Sequence, residues 1–220
     1  MSAKKETLGK TVGVVVAVCL VCSIIVSGAA VGLRELQQTN AALDKQSNIL
    51  TAAGLLGEAK TKKDIATIYD AKVEERFVDL ASGEYVANPA EGEPKPYDMY
   101  GRVSKADATS TKVDGSPAGF SRRANVASVY LIKDDSGSVS RIILPVHGSG
   151  LWDLMYGFLA IDNDGQTIRE LIFYQHKETP GLGGEIQNPE WQAKWNGKQL
   201  YDDGNVAIEV NKGENKDDQY

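Results

Sequence analysis

The chain has 220 residues, of which 42% are hydrophobic and 25% are charged, and this composition excludes wholesale disorder, collagen-like repeats and low-complexity architectures. Its net charge of −6 and its pI of about 5.1 argue against nucleic-acid binding, because no basic surface attracts phosphate. The two cysteines, Cys19 and Cys22, exclude a disulfide framework, and two histidines offer little for a histidine-built metal site.

Residues 11–33 carry no charged side chain and lie between Lys10 and Arg34. A helix of this length is about 34 Å long, which is enough to cross a hydrocarbon core of about 30 Å. Three lysines lie within residues 1–10, so the positive-inside rule places that end in the cytoplasm and the large domain in the periplasm. The sequence therefore predicts a single-pass protein of the bacterial inner membrane.

Other interpretations of this apolar segment remain open. Ser27-Gly28-Ala29 fits the cleavage site of a secretory signal, but the apolar run is long for such a signal, which favours retention. A lipid anchor at Cys22 is disfavoured by the bulky residue before it. Gly28 and Gly32 would let another membrane helix approach closely, although small residues also occur there by chance. Cys19 and Cys22 are interpreted as small apolar residues rather than as a redox or metal pair.

Beyond the membrane, the sequence predicts a helical stalk over residues 34–60 and a domain over residues 61–220. Leucines spaced by sevens, with polar residues between them, favour a stalk helix that ends at Gly54 and Gly57. A second short helix is predicted over residues 64–70.

From Arg76 onward the apolar pattern is that of strands and turns. Residues 88–119 hold four of the seven prolines and predict a long irregular segment. Asp162 to Gly165 is interpreted as a hairpin turn, because the spacing and terminal Glu of a calcium loop are missing. The predicted strands are residues 77–80, 84–87, 127–133, 141–146, 156–161, 167–175 and 207–210. Together they predict an α+β domain with a twisted, mostly antiparallel sheet and a few helices.

A further helix is predicted over residues 188–197. Asn188 is its N-cap, Pro189 takes the first helical position and Gly197 ends it. Trp191 and Trp195 lie on one face of this helix, and core packing is the favoured role for both.

Two glycine-rich segments each follow a predicted strand. The first, residues 146–157, surrounds Trp152 with glycines, so that a rigid aromatic ring could stack on a planar ligand; the alternative is a wide hairpin connection with Trp152 in the core. The second, residues 175–185, combines a proline and three glycines with the polar Glu178 and Thr179; the alternative is an ordinary surface loop.

Neither segment matches a P-loop or a dinucleotide-binding fingerprint. The sequence contains no Ser-His-Asp or Cys-His constellation, and His147 and His176 are interpreted as structural. We therefore predict no catalytic residue and no metal site.

Several blocks of the chain resemble one family, the C subunit of the Na+-translocating NADH:quinone oxidoreductase. They follow the family's order from the membrane span nearly to the end, and the last block is the most specific. The blocks are Leu20-Val21-Cys22-Ser23-Ile24-Ile25-Val26, Ala42-Leu43-Asp44-Lys45-Gln46-Ser47, Phe77-Val78-Asp79-Leu80, Ile143-Leu144-Pro145-Val146, Gly150-Leu151-Trp152, Met155-Tyr156-Gly157 and Glu178-Thr179-Pro180-Gly181-Leu182-Gly183-Gly184-Glu185.

The resemblance implies one membrane span and a periplasmic FMN-binding domain. It implies that the flavin carries electrons singly between redox centres of a complex, with other membrane subunits as partners, and that electron flow from NADH to ubiquinone drives Na+ out of the cell. The chain alone would turn over nothing.

In the family, the FMN phosphate is joined to a threonine hydroxyl of a Ser-Gly-Ala-Thr motif. This sequence lacks that motif: Thr179 is its last threonine, and Ser27-Gly28-Ala29-Ala30 lies in the predicted span without a threonine. We expect either a C-terminal truncation at Tyr220, which we favour, or a version that cannot hold flavin covalently.

Nine residues are predicted to line the flavin. Trp152 and Leu182 would offer apolar contact to the ring, and Thr179 and loop amides would hydrogen-bond its polar edge. The nine are Gly150, Leu151, Trp152, Glu178, Thr179, Pro180, Gly181, Leu182 and Gly183. Two alternatives remain, namely the G subunit of the related Rnf-type electron-transport complex and a flavin-free, membrane-anchored assembly domain. The stalk block and residues 178–185 favour the quinone reductase.

Overall fold

The computed structural model of the chain describes residues 8–93, 95–101 and 103–210. They belong to two compact units, one up to Lys45 and one from Gln46 onward. The helices are α1 (Leu8–Gly32), α2 (Arg34–Ala52), α3 (Lys62–Lys72) and α4 (Pro189–Ala193). The strands are β1 (Val73–Asp79), β2 (Tyr85–Val86), β3 (Ser110–Lys112), β4 (Arg122–Ala124), β5 (Val126–Lys133), β6 (Val139–Ser149), β7 (Leu154–Asp162), β8 (Ile168–Gln175), β9 (Tyr201–Asp202) and β10 (Asn205–Val206).

Helix α1 forms most of the N-terminal unit and begins three residues before the predicted span. By length and composition it could cross a membrane, and none of its residues is buried within the protein. A signal sequence near the N-terminus can meet the same criteria of length and composition, so retention of this helix remains a prediction. Cys19 and Cys22 lie in α1 as free, exposed cysteines.

The end of α2 belongs to the second unit and enters its core. Ile49, Leu50 and Ala52 are fully buried. The helix ends in a Schellman motif, in which Leu55 N–H donates to the Leu50 carbonyl (2.8 Å) and Gly54 has a φ of +72°. Gly54 therefore ends the helix as predicted, whereas Gly57 lies in a separate 3-10 turn.

Helix α3 is longer at both ends than the predicted residues 64–70. Thr61 and Asp64 form a capping box: the Thr61 hydroxyl accepts from Asp64 N–H at 3.2 Å, and the Asp64 carboxylate accepts from Thr61 N–H at 2.9 Å. The cap fixes the residue at which α3 begins.

Six strands form one sheet in the order β2-β1-β5-β6-β7-β8, and every neighbouring pair is antiparallel. This confirms the mostly antiparallel α+β fold, and the predicted strands 77–80 and 84–87, 127–133 and 141–146, and 156–161 and 167–175 pair as successive hairpins. The irregular segment over residues 88–119 contains the short strand β3, which pairs with β4.

Two predictions near the C-terminal end of the described residues are wrong or too long. A strand over residues 207–210 does not form; instead β9 and β10 make a small hairpin around Asp203 and Gly204, whose φ angles are +47° and +79°. Two left-handed residues in sequence are what a tight hairpin needs, and Asp-Gly supplies them. Helix α4 ends at Ala193 rather than near Gly197, although Asn188 caps it as predicted.

The main core lies on one face of the sheet, against the end of α2. It comprises Ile49, Ala52, Ala53, Tyr130, Ile132, Ile143, Phe158, Ala160 and Ile172. A second cluster of Ile161, Ile168 and Leu200 packs against Trp195. Trp191 meets Trp195 edge-on at 5.4 Å between ring centroids, consistent with the packing role predicted for the pair.

The edge strand β8 is partly covered by the segment that follows it. The Gln187 side-chain amide donates to the Phe173 carbonyl at 3.0 Å, and the Phe173 ring lies 6.4 Å from that of Trp191. These contacts hold the chain after β8 against the sheet, close to the loop that begins at residue 176.

Candidate functional site

The two glycine-rich segments meet at one end of the sheet. Residues 150–153, here the hairpin loop, join β6 to β7, and residues 176–184, here the glycine loop, follow β8. Since β8 pairs with β7, with Gln175 opposite Tyr156, the glycine loop starts beside the hairpin loop. All nine residues predicted to line a ligand belong to these two loops.

Three polar contacts join the hairpin loop to the glycine loop. Trp152 makes two of them: its backbone N–H donates to Glu178 Oε1 and its indole N–H donates to Thr179 Oγ1, each at 3.2 Å. The third is an ion pair of 2.5 Å between Lys177 Nζ and Asp153 Oδ2. Asp153 and Lys177 were not among the predicted site residues, and only their opposite charges hinted at a contact.

Two glycines make room for Glu178. A Cβ added to Gly150 would overlap Oε1 of Glu178, and one added to Gly183 would lie 2.7 Å from Oε2. Neither glycine has a positive φ, so the requirement is for space rather than for a left-handed backbone. The carboxylate of Glu178 thus lies between the two loops.

The glycine loop folds around the carbonyl of Thr179. The N–H groups of Leu182 and Gly184 donate to this carbonyl at 3.1 and 2.9 Å, and a Cβ on Gly184 would lie 3.0 Å from it. Gly181 has a φ of +76°, which an L side chain rarely adopts. Pro180 fixes the preceding φ. The sequence therefore folds this loop into a tight turn that displays Leu182.

Three large apolar side chains of the loops face solvent. Leu151 is 82% exposed, Trp152 67% and Leu182 73%. The alternative that Trp152 fills the core is therefore wrong. Clustered apolar side chains on rigid, hydrogen-bonded loops are typical of a surface that another molecule covers.

Beneath the hairpin loop lies an aromatic stack that sequence reasoning missed. The His147 ring is stacked on Phe120 at 4.5 Å and on Tyr156 at 6.1 Å, and Tyr100 lies 4.6 Å from His147. Burial lowers the pKa of the His147 imidazole and raises the pKa of the Tyr100 hydroxyl. Both groups are therefore neutral at pH 7, and the structural role predicted for His147 fits this packing.

Electrostatics at the site come mainly from exposed groups. The hydrogen bond from Lys177 holds the pKa of Asp153 below its usual value, and the same pair raises the pKa of Lys177. Within residues 8–93, 95–101 and 103–210, no group of three or more His, Cys, Asp or Glu side chains is arranged to hold a metal ion. The two loops therefore combine exposed apolar side chains with a few hydrogen-bonded polar groups.

Comparison with known proteins identifies the family. The family model described as the FMN-binding domain matches residues 150–219, a match that begins at Gly150 of the hairpin loop. The C subunit of the Na(+)-translocating NADH-quinone reductase of Yersinia pestis is 46% identical over 94% of this chain and 77% of its own length. The same subunit of the Vibrio parahaemolyticus reductase is 46% identical over 97% of this chain and 81% of its own length.

A solved structure supports the same assignment. The crystal structure of NqrC from Shewanella oneidensis superposes with a TM-score of 0.70 at 30% identity, covering 79% of each chain. The chain therefore belongs to the NqrC family, the C subunits of Na(+)-translocating NADH-quinone reductases.

Proposed function

We propose that this chain is the flavin-carrying electron-transfer subunit of a Na+-translocating NADH:ubiquinone reductase. The observation that carries the proposal is the surface formed by Leu151, Trp152 and Leu182 on the two linked glycine-rich loops, at the start of the FMN-binding match. When bound, FMN supplies one-electron redox chemistry that no side chain supplies. The chain's own part is to hold and orient the flavin.

The residues of the site fit a flavin. The isoalloxazine ring is flat and apolar on its faces, and the exposed side chains of Trp152 and Leu182 offer matching surfaces. The Thr179 hydroxyl accepts the indole N–H of Trp152, so it can still donate its own proton to an oxygen or nitrogen at the ring edge. These roles are proposals for the predicted site residues.

The two loops are proposed to contact the flavin ring rather than to attach its phosphate. The resemblance implies a phosphoester to a threonine of a Ser-Gly-Ala-Thr motif, which these 220 residues do not contain. Thr179, whose hydroxyl already accepts from Trp152, is assigned a hydrogen-bonding role rather than an attachment role.

For the membrane arrangement, we infer that α1 anchors the chain in the inner membrane with the domain in the periplasm. The lysines before the helix support this orientation. The small residues Gly28 and Gly32 support close packing against other membrane subunits of the complex.

The test is FMN binding by the purified chain in detergent. Binding is measured as the quenching of flavin fluorescence. We expect saturable binding, and a loss of affinity of about tenfold or more in Trp152→Ala, because stacked aromatic contacts dominate such sites. Tyr85→Ala removes an exposed aromatic side chain at the other edge of the sheet and is the control. The proposal is overturned if the chain binds no FMN, or if Trp152→Ala binds as well as the control. An absence of binding would favour the flavin-free assembly domain.

A further inference from the structure

We propose that Glu178 is a positioning residue, which fixes the two loops in the arrangement that receives the flavin. This inference rests on the proposed function, and it changes the role predicted for Glu178 from lining the ligand to holding the residues that do. The geometry points to it because both carboxylate oxygens are directed at the loops.

The carboxylate of Glu178 fills the space between Gly150 and Gly183. Oε1 is the atom that a side chain on Gly150 would strike, and Oε2 is the atom nearest to a Cβ on Gly183, at 2.7 Å. The three atoms nearest to that added Cβ all belong to Glu178, with its Cβ at 3.1 Å and its Cγ at 3.3 Å. A larger residue at either glycine would therefore displace the carboxylate.

The carboxylate also holds the backbone of the residue that presents the indole. Oε1 accepts the Trp152 N–H, and a hydrogen bond to an ionised acceptor is about twice as strong as a neutral one. Residue 152 is thereby fixed at its backbone by Glu178 and at its indole nitrogen by Thr179. Both contacts come from consecutive residues of the glycine loop, so a shift of Glu178 would move the whole Trp152 side chain.

Glu178 is itself held in place by the residue just after β8. Its backbone N–H donates to His176 Nδ1 at 3.1 Å. Because Nδ1 is the acceptor of this bond, Nε2 is the ring nitrogen left to donate, and it is buried and has no hydrogen-bond partner among the described residues. His176 thus fixes the backbone of Glu178 at the start of the glycine loop, and the Glu178 carboxylate in turn fixes the backbone of Trp152 in the hairpin loop.

The consequence is preorganisation. A loop already fixed in its bound arrangement loses less conformational entropy when the ligand arrives, so the same contacts give tighter binding. The Lys177–Asp153 pair cannot replace this effect, because both side chains reach solvent, at 74% and 43% exposure, and exposed ion pairs contribute little. The carboxylate of Glu178, by contrast, lies between Gly150 and Gly183 and accepts the Trp152 N–H.

The first experiment measures amide hydrogen exchange of Trp152 in the full chain, in detergent and without added flavin. We expect Glu178→Ala to accelerate this exchange by about tenfold or more, as loss of a charge-assisted hydrogen bond predicts. Glu178→Gln keeps a carbonyl oxygen at the same position and should restore most of the protection. Glu84→Ala, at the turn between β1 and β2, is the control. Unchanged exchange in Glu178→Ala would overturn the proposal.

The second experiment couples Glu178 to the glycine that accommodates it, with the dissociation constant of FMN as the readout. Gly183→Ala and Glu178→Ala should each weaken binding, and the double variant should be no weaker than the worse single variant, because both changes act on one contact. Gly57→Ala is the control, since a Cβ there meets nothing within 4 Å. Multiplicative losses in the double variant would refute the positioning role.

The two proposals fail in different ways. If the unmodified chain binds no FMN, the proposed function fails while hydrogen exchange still decides whether Glu178 holds the loops. If the unmodified chain binds FMN and Glu178→Ala binds it equally well, the proposed function stands and the positioning role of Glu178 is wrong.

Discussion

Replacing Ile49 with alanine tests whether the end of α2 is part of the domain core. Ile49 is fully buried and belongs to the main cluster with Tyr130, Ile143 and Phe158. Large-to-small replacements of this kind cost about 2–5 kcal/mol, because the removed atoms leave a cavity, and we take about 3 kcal/mol. Alanine is the better helix former, so any loss reflects packing rather than helix propensity.

The assay is thermal unfolding of the full chain in detergent, followed by near-ultraviolet circular dichroism. At about 2–4 °C per kcal/mol for a domain of this size, Ile49→Ala should lower Tm by about 6–12 °C. Val206→Ala removes methyl groups from a side chain that is 72% exposed, and it should change Tm by less than about 2 °C. If the two variants have the same Tm, the assignment of the end of α2 to the core is refuted.

Three further outcomes follow from single contacts. Thr61→Ala removes the capping box of α3 and should cost about 1 kcal/mol, seen as a lower Tm; an unchanged Tm would contradict the role of the cap. Arg141→Met removes the donor that Nη1 provides to the Ala53 carbonyl at 2.5 Å, and should cost about 1.5–3 kcal/mol in urea unfolding; no change in midpoint would contradict it. Burial lowers the pKa of His147, so the unfolded chain is protonated at a higher pH than the folded chain. The free energy of unfolding should therefore fall as the pH drops through about 6.5. Between pH values of about 7.5 and about 5.5, the Tm of His147→Phe should fall less than the Tm of the unmodified chain.

Much of the fold could be predicted because its turns carry local signals. Gly83, Gly137 and Gly165 all have positive φ angles, and each lies in a hairpin that the sequence predicts. The strand predicted over residues 207–210 does not form, although its apolar residues alternate. The turn at Asp203 and Gly204 instead makes the residues directly beside it pair, namely Asn205 with Asp202 and Val206 with Tyr201. The helical end at Ala193 also escaped prediction, because Gly197 instead donates to the Ile168 carbonyl of β8.

The site was only partly predictable. Glycine content drew attention to both loops, yet nothing local indicates that Gly150 and Gly183 share one carboxylate. The hydrogen bonds from Trp152 connect residues 26 and 27 positions apart, which only the β6-β7-β8 order brings together. The stack around His147 was not predicted either, because Phe120 is distant in sequence and lies just after the segment predicted to be irregular.

The Gln187 side chain on the Phe173 carbonyl has a consequence for self-association. An edge strand normally exposes carbonyl and N–H groups that can pair with a strand of another molecule. At β8 the carbonyls of Phe173 and Ile168 are already occupied, and at the opposite edge β2 has only two residues. Within the part of the chain that the structure describes, neither edge offers a long free strand, and this disfavours aggregation by strand addition.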